Sequence, residues 1–184
     1  MSEWKETTLS DICIDISYGY TDSAKEEPVG PKFLRITDVV PNRINWETVP
    51  YCDADCQIFE KYKLENGDIV IARTGATTGY NKIIKKINFD AVFASYLIRY
   101  KVDTNKAYPF FIGYILQSSN WYDYVDAIIG GSAQPGANAK QFGSYEILLP
   151  PLAEQRAIAG VLSSLDDKID LLHRENKTLE AMAE

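Results

Sequence analysis

Between Asp68 and Lys86 the chain reads DIVIARTGATTGYNKIIKK: an apolar run, Arg73, two glycines among threonines, then Tyr80, Asn81 and three lysines. Such a stretch can cradle a nucleotide phosphate, contact a nucleic acid, or simply turn the chain. Its spacing argues against the first. A P-loop needs four residues between its glycines and Lys-Ser/Thr directly after the second, whereas three separate Gly75 from Gly79 and Ile83 follows Lys82. No G-x-G-x-x-G fingerprint or G-x-S-x-G elbow occurs elsewhere, and Leu149-Pro150-Pro151 lacks the Asn or Asp and the aromatic of an amino-methyltransferase motif. Cys52 and Cys56 lack a second Cys pair, and the only histidine, His173, is far away, so free thiols are expected and no metal. Nothing assembles a catalytic constellation, and no cofactor is expected.

Contact with a polyanion fits the same residues better. Arg73, Thr74, Thr77, Thr78, Tyr80, Asn81 and Lys82 form a row of hydrogen-bonding groups on a loop whose glycines permit close backbone approach. Gly130 to Phe142 (GGSAQPGANAKQF) offers Ser132, Gln134, Asn138 and Lys140 in similarly permissive backbone, although a plain surface connection has the same composition. Tyr18-Gly19-Tyr20-Thr21 with Lys25 makes a third polar-aromatic loop, whose tyrosines equally suit half-buried packing.

These loops need a scaffold. Phe33 to Val40 alternates imperfectly and ends at Pro41, Asn66-Gly67 is a hairpin-type turn signal, and Asp68 to Ala72 reads as a buried strand. Ala91 to Val102 is the best strand candidate. Tyr108 to Leu116 and Trp121 to Ile129 read as helices, with Pro109 in a first turn, Asn120 as N-cap and Gly130 as stop. Arg35 and Asp38, inside an apparent strand, are read as structural.

Composition shifts at Pro150-Pro151. Beyond it Gly160 is the only glycine and proline is absent; Pro151 suits a first helical position and Glu154 the helix dipole. Ile158, Leu162, Leu165, Ile169, Leu172, Asn176 and Leu179 then alternate steps of four and three, a heptad seam with one polar core position. Such a helix is roughly 45 Å long and needs a second helix to cover its seam; folding back on its own domain is the alternative. The expected fold is α+β: a mixed domain over residues 1–149 and a long projecting coiled-coil-type helix over 150–184.

At 184 residues, 46% hydrophobic and 24% charged, the composition is that of an ordinary globular domain. No apolar run approaches the roughly 20 residues of a membrane span, and MSEWKETTLS lacks the apolar core of a signal peptide, so a cytoplasmic location is expected. The formal charge of −7 opposes a polyanion partner on average. The distribution does not: the windows between Asp68 and Asp90 and between Asp126 and Glu146 hold no acid, and carry Arg73, Lys82, Lys85, Lys86 and Lys140.

The chain resembles the specificity subunit of type I restriction-modification enzymes along essentially its whole length. The resemblance rests on Trp4 to Ile12 (WKETTLSDI), Phe33 to Val39 (FLRITDV) and Gly67 to Gly75 (GDIVIARTG). Gly131 to Pro135 (GSAQP), Leu149 to Gln155 (LPPLAEQ) and the heptad helix complete it. It implies a DNA target-recognition domain joined to a spacer helix. Family members carry two such units, each domain reading one half of a split double-stranded DNA target, while the paired helices set the spacing and bind the methyltransferase subunits. The specificity subunit does no chemistry itself, and the restriction subunit completes the complex. This chain holds one unit, so it is expected to be a piece of a longer subunit or a natural half-subunit, with its second spacer helix in the same full-length chain or in a second copy.

On this reading Arg73, Lys82, Lys85, Lys86 and Lys140 hold phosphates. Thr74, Thr77, Thr78, Tyr80, Asn81, Gln134 and Asn138 sit near the groove, with Ser132, Tyr20, Thr21 and Lys25 as further DNA-binding candidates. Two rivals stay open: a nucleotide-acting enzyme, and a coiled-coil adaptor whose globular head ignores DNA.

Overall fold

The computed structural model describes residues 4–130 and 136–183. In chain order its elements are β1 (Lys5–Thr8), β2 (Cys13–Tyr18), β3 (Lys32–Leu34), α1 (Ile36–Val39), α2 (Cys56–Tyr62), β4 (Ile69–Ala72) and β5 (Asn81–Ile83). There follow β6 (Ala91–Phe93), β7 (Leu97–Val102), α3 (Pro109–Ile115), α4 (Ser119–Ile129), α5 (Ala139–Gly143), β8 (Glu146–Leu149) and α6 (Leu152–Ala183). The architecture is α+β with a long C-terminal helix.

The centre is an antiparallel sheet in the order β2-β7-β4-β5. β4 is apolar throughout because both its faces are covered. Ile69 and Ile71 join Ile98, Tyr100 and Val102 against Phe111, Ile112, Trp121, Val125 and Phe142, residues of α3, α4 and α5. Val70, Ala72 and Leu97 pack on the other side with Leu34, Val39 and Phe93. β3 and β6 form a short parallel pair, and β1 pairs with β8, which holds the first strand beside the entry to α6.

Several expected elements change at points with a local cause. The strand from Phe33 stops at Leu34, because Asp38 accepts hydrogen bonds from the Arg35 backbone (2.9 Å) and guanidinium (3.0 Å) and starts α1. Arg35 and Asp38 are thus structural, but as a helix cap. Ala91 to Val102 is two strands broken by a turn, as the chain leaves β3 to pair with β2 and β4. Ser118, not Asn120, caps α4 by accepting from the Trp121 N–H. Asn66-Gly67 does turn, with φ +94 at Gly67, yet it makes no hairpin, since β4 pairs with β5 and β7. Pro151 lies one residue before α6, its carbonyl accepting from the Glu154 and Gln155 N–H groups.

At 32 residues α6 is roughly 48 Å long. Its first half docks on the domain that precedes it. Gln155 and Ala159 are buried, the Gln155 carbonyl accepting from the Tyr108 N–H and its amide donating to the Pro150 carbonyl, each at 2.8 Å. Further along, Asp166 meets Lys85 and Tyr114, Asp167 meets Lys86, and Asp170 meets Arg43. Most of the heptad seam falls on another face, roughly a third of a turn away at 3.6 residues per turn. Ile158 packs partly into the core and Leu162 is half-buried, but Leu165 is 56% exposed, Ile169 49%, Leu172 44% and Leu179 63%. From Leu171 to Ala183 every side chain is exposed, Asn176 included. The helix therefore both folds back and leaves its seam open, where the sequence had set these as alternatives.

Candidate nucleic-acid interface

The antiparallel order brings four strand ends to one edge of the central sheet: the end of β2 at Tyr18, the start of β7 after Tyr96, the end of β4 before Arg73 and the start of β5 after Tyr80. Three tyrosines stand out from it, Tyr18 at 41%, Tyr80 at 38% and Tyr96 at 59% exposure. Large aromatic faces left in water at converging strand ends suit stacking and groove contact.

Arg73 sits among them. Its backbone is tied on both sides, the N–H donating to the Tyr96 carbonyl (3.0 Å) and the carbonyl accepting from the Ala137 N–H (2.9 Å). Its guanidinium lies 4.8 Å from the Tyr18 ring centroid, and among the described residues its buried Nε has no hydrogen-bond partner. The Tyr18 hydroxyl in turn accepts from the Ala139 N–H at 3.0 Å. A cation stacked on an aromatic ring and held by a fixed backbone is oriented before any partner arrives.

The same bonds stitch the second loop to the first. Thr74 bridges Gly136, and Asn138 caps α5, its carbonyl group accepting from the Gln141 N–H while Gln141 accepts from the Asn138 N–H. Lys140, two residues further in the first turn of α5, is exposed. Ser132 and Gln134 lie outside the described residues.

Around Gly75–Thr77, a 3-10 turn, the expected row of groove-facing groups divides. Thr74 and Thr77 are half-buried and Tyr80 exposed, its ring meeting Tyr122 edge-on. Thr78 is buried and its hydroxyl donates to the Gly75 carbonyl. Asn81 is corrected: it is 1% exposed, and its amide donates to the Gly79 and Leu116 carbonyls, bracing the loop on α3 from beneath.

The expected cations divide too. Lys85 and Lys86 follow β5 at the edge opposite Tyr80, where their ammonium groups pair with Asp166 and Asp167 at 3.0 Å. They fasten α6, so half of the positive charge in the window between Asp68 and Asp90 is neutralised by acids remote in sequence. Lys25 pairs with Asp53 at 3.5 Å. Tyr20 packs its ring against Phe33 and Tyr62, while Thr21 is exposed. Lys82 has no ion pair among the described residues, and partial burial lowers its pKa. Arg73, Lys140 and Lys82 are the candidates without an ion pair among the described residues.

Sequence reasoning overlooked Tyr96 because it lay inside an apparently continuous strand. The small residues Ala94-Ser95 before it were the one signal of a break.

An α+β domain that gathers loops at one sheet edge and carries a long C-terminal helix at another defines a class by its architecture. The chain belongs to the type I restriction modification DNA specificity domain family, whose model matches residues 1–181. It is 28% identical over 183 residues to the type I restriction enzyme MjaVIII specificity subunit of Methanocaldococcus jannaschii, covering 97% of this chain and 43% of that protein. Among solved structures, a chain of a type I R-M system is similar at a TM-score of 0.65 and 21% identity, covering 97% of this chain and 42% of that one. The type I S subunit from M. genitalium is similar at 0.65 and 16% identity, covering 94% and 41%. The chain thus spans less than half the length of the relatives it matches.

Proposed function

We propose that this chain is a non-catalytic DNA-recognition unit that reads one half of a bipartite target for a type I restriction-modification complex. The observation that carries the reading is the convergence of Tyr18, Arg73, Tyr80 and Tyr96 at one sheet edge, with the Gly136-to-Lys140 segment stitched beside them. Arg73 and Lys140, with Lys82 behind them, hold phosphates; Thr74, Thr77 and the exposed tyrosines lie toward the groove. Ser132 and Gln134 stay candidates on sequence grounds, and Thr21 as an exposed neighbour of Tyr20. Recognition and assembly use separate regions, residues 1–149 and 150–184. The open seam of Leu165, Ile169, Leu172, Asn176 and Leu179 takes a second spacer helix, and the helical region docks the methyltransferase subunit and, through it, the restriction subunit. The adaptor alternative uses the same seam and leaves the strand-end edge idle.

Salt dependence of duplex binding separates the two. Removing a phosphate contact reduces the slope of log affinity against log salt by about one. Arg73→Ala and Lys140→Ala should each show that reduction, whereas Lys86→Ala, which breaks a pair with Asp167, should leave the slope unchanged. Equal slopes for all three variants, or binding indifferent to salt, would contradict the proposal.

A further inference from the structure

A second candidate site lies away from the strand-end edge, in an open concavity of about 640 Å³ between the start of β3 and the segment before β6. Phe89 and Asp90 precede β6, whereas Tyr96 follows it. Trp46 and Phe89 meet edge-to-face at 5.2 Å, and Tyr51 completes an aromatic lining. Phe89 stays 40% exposed and Val29, beside lining residue Gly30, 48%. Apolar and aromatic surface left in water around a concavity marks a binding place.

Charge decides what fits there. The lining's one cation, Lys32, is already engaged, donating to the Val49 carbonyl at 2.7 Å with its ammonium 4.0 Å from the Tyr51 ring centroid. The carboxylates of Glu47 and Asp90 are exposed at the rim and have no ion pair among the described residues. Glu26 and Glu27 stand a few residues before Gly30. An aromatic lining with an acidic rim repels phosphate and attracts a cation that can also lie against a ring, which a planar guanidinium does best. We infer that this concavity docks an arginine side chain from the surface of a partner protein, stacked on Trp46 or Phe89 and paired with Glu47 and Asp90. The inference is independent of the DNA reading, because none of these residues belongs to the strand-end edge.

The test follows the Trp46 indole N–H by NMR in the labelled 184-residue chain, with Trp46→Phe to assign it. The probe is acetyl-Gly-Arg-Gly-amide, and the control is the same peptide with citrulline, which keeps shape and loses charge. A saturable shift with the arginine peptide is expected, with binding about fivefold or more weaker for citrulline. Glu47→Gln combined with Asp90→Asn, both at exposed positions, should weaken the arginine peptide by a similar factor and leave duplex binding unchanged. No saturable shift, an equal response to citrulline, or displacement of the arginine peptide by a DNA duplex would overturn the inference.

Discussion

Gly75 and Gly79 both hold positive φ, +76 and +90, yet only one of them is packed. A Cβ at Gly79 would come within 2.7 Å of a methyl of Val125, which is 1% exposed and stiff at its branched carbon, while at Gly75 nothing among the described residues lies within 4 Å. The Gly79 carbonyl also accepts from the buried indole N–H of Trp121 at 2.8 Å. Gly79→Ala should therefore cost ~2 kcal/mol or more, through overpacking added to backbone strain, and Gly75→Ala only about 1 kcal/mol. Urea unfolding of the two variants checks the difference, and equal losses would mean that the loop does not rest on α4. From the sequence these glycines signalled close approach to a partner. Gly79 instead serves close approach to the protein's own helix, since a glycine alone does not say which neighbour it admits. At Arg73 the backbone braces two loops, while the guanidinium stacks on the ring of Tyr18.

Among the elements, α6 is where sequence and structure differ most. Its seam was legible because leucine and isoleucine at steps of three and four have one meaning in a helix. Its docking face was not, because one glutamine, one alanine and three aspartates read as solvated surface. Gln155 is the strongest of these, since Gln155→Leu would leave the Tyr108 N–H and the Pro150 carbonyl without partners and should cost ~1–3 kcal/mol. The ion pairs beyond it are partly exposed, Lys86–Asp167 largely so, and contribute up to ~1 kcal/mol each. Burial alone would raise the Asp166 pKa, but hydrogen bonds from Tyr114 and Lys85 outweigh it and hold the carboxyl below its ordinary value. A carboxyl lowered in the folded state contributes fully above the ordinary carboxylate range and loses that contribution as pH falls through the depressed value. Amide exchange in α6 from Ala159 to Asp170 should therefore quicken under acid conditions before the central sheet is affected. Lys85→Glu should reproduce that loosening at neutral pH and Asp166→Lys should reverse it; failure of the reversal would place the docking elsewhere.

For the whole molecule, the net charge of −7 conceals a division of labour. Acids on α6 neutralise Lys85, Lys86 and Arg43 where helix meets domain, and among the described residues Arg73, Lys82 and Lys140 have no ion pair near the strand-end edge. The family and the α+β class were legible from ordered short motifs, whereas the grouping of Tyr18, Arg73, Tyr80 and Tyr96 was not, because strand order and not sequence distance creates it. The unpartnered seam predicts concentration-dependent self-association. Leu165→Glu with Ile169→Lys should leave a monomer in sedimentation at concentrations where the parent chain pairs, and a parent chain that stays monomeric at high micromolar concentration would count against helix pairing. On the proposed function, the strand-end edge reads sequence. Selection of bound duplexes from a random library, with the methyltransferase subunit present, tests it most directly. One short half-site should be enriched and Arg73→Ala with Tyr96→Ala should blur it, whereas a pool that leaves selection by the intact complex with its starting composition would show that this edge reads no sequence.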